Sequence, residues 1–241
     1  MNWTVLTEQP IFRGVEEADV ATRASGVEAV LGSGKRRRYL PEVRREAILE
    51  AARAVFLERG YAGATIDAVV ERSGGSKATV YALFGNKEGL FGALISDWAE
   101  GFAEAFRTLA PGSSVDQSLR SLGRTVLEQF LSQERLAIFR LVAGESGRRP
   151  ELGDIFYRIG ARTGLSLFTA LFREWSARGL ISGSDPAQLA SHFLGALRGD
   201  LFLRSLFNPT RVPTKKEIAE HVDAVVEAFL RGCGHPDSTL R

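Results

Sequence analysis

Between Thr65 and Asn86 the chain has room for two helices of about two turns each, because every boundary is marked by a capping residue or a glycine. Thr65 supplies an N-cap before Ile66, Val69 and Val70, and Gly74-Gly75 stops that helix. Ser76 caps the next, whose Val80 and Phe84 share one face, and Gly85-Asn86 ends it while Asn86 caps a third helix. Two short capped helices joined by a tight glycine turn are the signature of a helix-turn-helix, in which the second helix places its N-terminal residues in a DNA major groove. The residues this assigns to DNA are Ser76, Lys77, Thr79 and Tyr81, whose hydroxyl and ammonium groups suit phosphates and base edges. The helix starts at Thr65, Ser76 and Asn86-Lys87 add N–H groups suited to phosphate, so Thr65 and Lys87 join the candidates.

The flanking sequence is also helical. From Glu42, residues Ala47, Ile48, Ala51, Ala52, Val55 and Phe56 line one side of a helix that Gly60 should end. After Asn86 a long amphipathic run carries Leu90, Phe91, Leu94, Ile95, Trp98, Phe102 and Phe106 to Pro111-Gly112. Further helices are expected around Leu119 to Phe130, around Leu136 to Val142, and from Pro150 to Gly179. Two more follow Asp185-Pro186, a cap with proline at the first helical position, and Thr214-Lys215-Lys216-Glu217, a capping box. The fold class is therefore all-α: about nine helices and no convincing strand, with an N-terminal three-helix DNA-binding domain and a C-terminal helical effector-binding and dimerisation domain.

Charge supports this division. The net charge is only +2, yet residues 35–90 hold eleven basic residues against seven acidic ones. Such a block is expected of a nucleic-acid-binding module joined to a more neutral partner. Residues 1–39 read as a flexible extension ending in a basic arm, where Lys35, Arg36, Arg37 and Arg38 follow Gly32-Ser33-Gly34 and are expected to track DNA phosphates or the minor groove. Residues 40–90 are the expected DNA-binding domain, 91–232 the ligand-binding and dimerisation domain, and 233–241 a tail. The single cysteine, Cys233, excludes an intramolecular disulfide and fits a reducing compartment. No apolar run reaches membrane-spanning length and no secretory signal is visible, so a cytoplasmic protein without membrane contact is expected.

Enzyme motifs fail on inspection. Gly32-Ser33-Gly34-Lys35 lacks the remaining glycine and hydroxyl of a phosphate loop, since Ala29 and Arg36 stand in those places. Gly144-Glu145-Ser146-Gly147 misses the nucleophile elbow by one position, with no strand before it. His192, His221 and His235 show no metal-ligand spacing. No catalytic residue, metal or cofactor is expected. The aromatics Trp98, Phe102, Phe130, Phe139, Phe172 and Trp175 sit at helical spacing, and they are either core or the lining of an apolar cavity.

Thr65 to Leu90, TIDAVVERSGGSKATVYALFGNKEGL, resembles the DNA-binding signature of the TetR family of repressors, and Arg45 to Gly60 extends the resemblance to about 50 residues. Two positions depart from the family pattern: Leu83 stands where a His or Tyr is common, and Gly75 where a Val or Ala is usual. The second half is similar to effector domains of the AefR-like branch, through Arg140-Leu141-Val142-Ala143-Gly144-Glu145-Ser146, Pro150-Glu151-Leu152 and His192 to Asp200. The resemblance implies a repressor that dimerises through its last long helices and binds a small molecule between the middle ones. On that basis a small hydrophobic effector is expected among Trp98, Phe102, Phe130, Phe139, Phe172 and Trp175, oriented by polar groups such as Arg140, Glu145 or His192. A homodimer is expected through Leu165 to Arg178 and Pro186 to Phe207, whose apolar residues cover more than one face, and its twofold symmetry implies a near-palindromic double-stranded DNA operator. A ligand-independent dimeric DNA-binding protein is the alternative, and a helical enzyme a more distant one.

Overall fold

The computed structural model describes residues 41–109, 113–182 and 185–232; the basic arm Lys35 to Arg38 and the tail 233–241 lie outside them. Nine helices and no strand occur among the described residues. The first, α1 (Pro41–Gly63), departs from helical geometry at Gly60, where φ is 66°. It resumes for one short turn, so Gly60 is a break inside the segment where the sequence suggested its end. Three caps then set the next three elements. Thr65 Oγ1 accepts from Ala68 N at 3.2 Å to open α2 (Ile66–Ser73), and Ser76 Oγ accepts from Thr79 N at 3.2 Å to open α3 (Lys77–Phe84). Asn86 Oδ1 accepts from Gly89 N at 2.7 Å to open α4 (Lys87–Arg107). Each bond satisfies a donor that the first helical turn leaves without an intrahelical partner.

The remaining helices are α5 (Val115–Phe130), α6 (Gln133–Glu145), α7, α8 (Pro186–Phe207) and α9 (Lys215–Gly232). A capping box of Ser114 and Gln117 opens α5, and the expected box at Thr214 and Glu217 opens α9. Helix α7 runs from Pro150–Ile155 through a π-helical segment, Phe156–Ala161, into Arg162–Ala177. Neither this widened turn nor the break in α8 at Gly199 (φ 43°) follows from periodicity. Beside that break His221 Nε2 of α9 donates to the Leu197 carbonyl at 2.9 Å.

Two hydrophobic interiors share α4. The first gathers Ile48, Val55 and Phe56 of α1, Val69 of α2, Val80 of α3, and Leu90 to Trp98 of α4. It is closed by Ile138 and Val142 of α6 and Leu152 of α7. The second begins at Phe102 and Phe106 and continues through Leu119, Leu122, Phe168, Phe172, Phe193 and Val222 from α5, α7, α8 and α9. The changeover lies between Trp98 and Phe102, one helical turn apart on the same face. No described helix is long and apolar enough to cross a membrane.

Candidate nucleic-acid interface and internal cavity

Helices α2 and α3 are locked by the Gly74-Gly75 turn, in which both residues have positive φ. Gly75, at φ 101°, favours glycine by its backbone, and a Cβ there would also meet Arg44 Nη2 at 1.7 Å and have to push that guanidinium aside. Arg44 Nη1 donates to the Ser73 carbonyl at 3.0 Å, so the α1 guanidinium fills the space that a turn side chain would occupy. The helix pair is thus held from beneath, leaving the start of α3 exposed.

On that surface Ser76 and Lys77 are exposed, Tyr81 is 50% exposed, and Thr79 is half-buried with its hydroxyl 3.0 Å from Ser76 Oγ. Lys77 Nζ pairs with Asp67 Oδ1 of α2, and that carboxylate raises the ammonium's pKa. The cation therefore stays charged, and an exposed pair of this kind, screened by solvent, is weak. Thr65 is exposed, with its side chain engaged as a cap. Lys87, a candidate through the N–H groups of its helix start, has a side chain with a different role. Its ammonium turns inward, donating to the Tyr61 carbonyl at 2.9 Å and the Ala64 carbonyl at 3.0 Å while lying 4.5 Å from the Tyr61 ring centre. Burial lowers its pKa, and Asn86, which caps that helix start, is exposed. Leu83 is exposed beside Phe84, an apolar residue on the surface of α3.

Where the two interiors meet, α4, α5, α6, α7 and α8 enclose a cavity of about 210 Å³. Trp98, Phe102, Phe130 and Phe139 line it, as the sequence suggested for four of its six aromatic candidates. Phe172 and Trp175 do not reach it. Phe172 packs on Phe193 and Phe229 with ring centres 6.0 and 5.4 Å apart, and Trp175 leans on Phe172, because their side of α7 faces α8 and α9. The π-helical segment contributes Phe156, Tyr157, Gly160 and Ala161 to the wall. The suggested polar groups lie elsewhere too: Arg140 donates to the Leu206 and Ser205 carbonyls at 2.6 and 2.8 Å, Glu145 pairs with Arg149, and His192 is exposed. Two arginines that periodicity did not single out, Arg135 of α6 and Arg198 of α8, line the cavity instead. Among the described residues no cluster of three or more His, Cys, Asp or Glu side chains is placed to hold a metal.

Residues 48–94 match the family described as bacterial regulatory proteins, tetR family, and residues 117–233 match the AefR-like transcriptional repressor C-terminal domain. The chain is 29% identical over 131 residues to the HTH-type transcriptional repressor ComR of Escherichia coli K12. That match covers 53% of this chain and 62% of ComR, less than two thirds of its length. Among solved structures, the flavonoid-responsive regulator FrrA is 30% identical with a TM-score of 0.67, covering 80% of this chain and 98% of that one. A regulator assigned to the TetR family from Mesorhizobium loti MAFF303099 is 30% identical with a TM-score of 0.70, covering 80% and 97%. An exposed helix on a capped helix-turn-helix, joined by one long helix to a second helical interior, is the arrangement of a DNA-binding transcriptional regulator. The chain belongs to the TetR family, with an AefR-like C-terminal domain.

Proposed function

We propose that the protein is a homodimeric repressor that a small, largely apolar effector releases from a near-palindromic operator. The observation that carries this reading is the course of α4. Its first turn adjoins the helix-turn-helix, and Trp98 and Phe102, further along, form cavity wall. A ligand that fits the cavity only when α4 is tilted binds the DNA-incompetent arrangement more tightly, and a differential of about 1–3 kcal/mol suffices for a typical coupling. The name of the 30%-identical FrrA, responsive to flavonoids, supports an aromatic effector.

In this reading residues 40–90 bind DNA and 91–232 bind effector and partner. DNA contacts come from Ser76, Lys77, Thr79 and Tyr81, from the helix starts at Thr65 and Lys87, and from the arm Lys35 to Arg38. Dimerisation uses Leu165 to Arg178 of α7 together with α8, on which Leu203 is exposed and Phe207 is 81% exposed. A twofold dimer sets two recognition helices about 34 Å apart on the DNA, and the protein acts where the DNA is, in the cytoplasm. The test is selection of bound DNA from random sequence, followed by mobility-shift titration with aromatic compounds. A near-palindromic site released by a compound supports the proposal. Binding that no compound weakens would favour a ligand-independent DNA-binding dimer.

A further inference from the structure

Two guanidinium groups sit in a wall that is otherwise aromatic and aliphatic. Arg135 Cζ lies 5.2 Å from the Trp98 ring centre and 4.7 Å from that of Phe102, and Arg198 Cζ lies 5.4 Å from that of Phe130. The two cations thus flank the Phe102–Phe130 ring pair, whose centres are 5.2 Å apart. Arg135 Nη1 and Arg198 Nε are buried and have no hydrogen-bond acceptor from the protein. Neither arginine forms an ion pair among the described residues, although other guanidiniums are matched: Arg53 with Glu134, Arg120 and Arg124 with Asp223. Glu134, the immediate neighbour of Arg135, is turned to Arg53 at 2.9 Å. Burial, aided by the nearby charge of Arg53, outweighs the favourable carboxylates of Glu134 and Asp97 and pushes the pKa of Arg135 down to about 10. Burial alone lowers that of Arg198. Both groups remain cations at neutral pH.

Such groups are costly without a partner, and cation–π contact compensates only the charge, not the unpaired N–H donors. Given a carboxylate, a guanidinium forms short, paired, charge-assisted hydrogen bonds that gain strength in a dry site. The space suits an organic anion. An apolar cavity of about 150 Å³ admits benzene, and this one, larger and bounded by four aromatic rings of helices α4 to α6, accepts a one- or two-ring body. Tyr157, also in the wall, is 62% exposed and marks the side open to solvent. The π-helical segment supplies Gly160 close to α4, where a Cβ would meet Ile95 at 3.2 Å; π-segments of this kind recur at functional sites.

We propose that the effector is an aromatic carboxylate, its ring body between Trp98, Phe102, Phe130 and Phe139 and its carboxylate held by Arg135 and Arg198. This rests on the cavity being the effector site. The test is calorimetric titration of the full-length protein with 2-naphthoate and 3-phenylpropanoate, each against its primary amide, which keeps the shape and removes the charge. The acids are expected to bind about tenfold or more tightly than the amides. Arg135→Met and Arg198→Met should each reduce that preference, and the double substitution should abolish it while far-UV circular dichroism stays unchanged. Amides binding as tightly as acids, or neither acid binding, would overturn the proposal, and because the comparison is made on the unaltered protein it stands even if a variant fails to fold. Selective acid binding without DNA release would keep the carboxylate assignment and remove the effector reading. DNA release by neutral compounds only would do the reverse.

Discussion

Helix α4 passes through two unlike interiors. Near its start, Phe91 meets Phe56 and Tyr61 edge-on at 5.5 and 5.7 Å, the latter two stack at 5.6 Å, and all three are fully buried. Eleven residues on, Phe102 borders a cavity whose other walls include the partly buried Phe130 and Phe139 and two guanidiniums without an ion pair among the described residues. The first interior has to hold α2 and α3 in one orientation, so its aromatic rings pack without a cavity, and the Lys87 ammonium beside them is satisfied by two carbonyls. The second keeps volume and charge in reserve, a stability cost that is intelligible if something binds there.

The contrast can be broken most forcefully at the aromatic residues. Phe91→Ala should cost about 3–5 kcal/mol in urea unfolding, whereas Phe139→Ala, which already faces open space, should cost less than half of that. Equal losses would show the two interiors to be alike. Gly75→Val comes next: a β-branched residue at φ 101° carries strain of about 1–3 kcal/mol, and its Cβ displaces Arg44 from the turn. Thermal unfolding should report that loss together with weakened operator binding, and an unaltered melting temperature would mean that the turn relaxes freely.

Lys77→Ala acts on DNA, not on folding. In the proposed reading the ammonium exchanges an exposed Asp67 pair for a phosphate contact, so operator affinity should fall about fivefold per subunit and its salt slope by about one per subunit, or about two for the dimer. Mobility shifts at two salt concentrations decide it, an unchanged slope placing Lys77 off the phosphates. The smallest effect on stability is expected from Arg135→Met. Relief of a buried, unpaired guanidinium offsets the lost contacts with Trp98 and Phe102, leaving the unfolding free energy within about 1 kcal/mol of the parent or above it. A loss of more than about 2 kcal/mol by urea titration would make Arg135 a structural residue and bring the second interior closer in kind to the first.

The caps at Thr65, Ser76, Asn86 and Thr214 join groups three residues apart, so the short helices and the exposed start of α3 were legible in the linear chain. Helical spacing likewise marked Trp98, Phe102, Phe130 and Phe139 as inward-facing. It could not separate them from Phe172 and Trp175, because periodicity gives a face and not the element packed against it. For the same reason the helix start at Lys87 was legible but the place of its ammonium was not, since the turn from Gly60 to Ala64 brings two carbonyls to it. Arg135 and Arg198 gave no sign at all: an arginine within a helix is ordinarily solvated, and only the meeting of α4, α5, α6 and α8 buries these two. Local hydrogen bonds determined the DNA-binding surface; packing between helices up to about a hundred residues apart in the chain decided where the cavity lies and which charges face it.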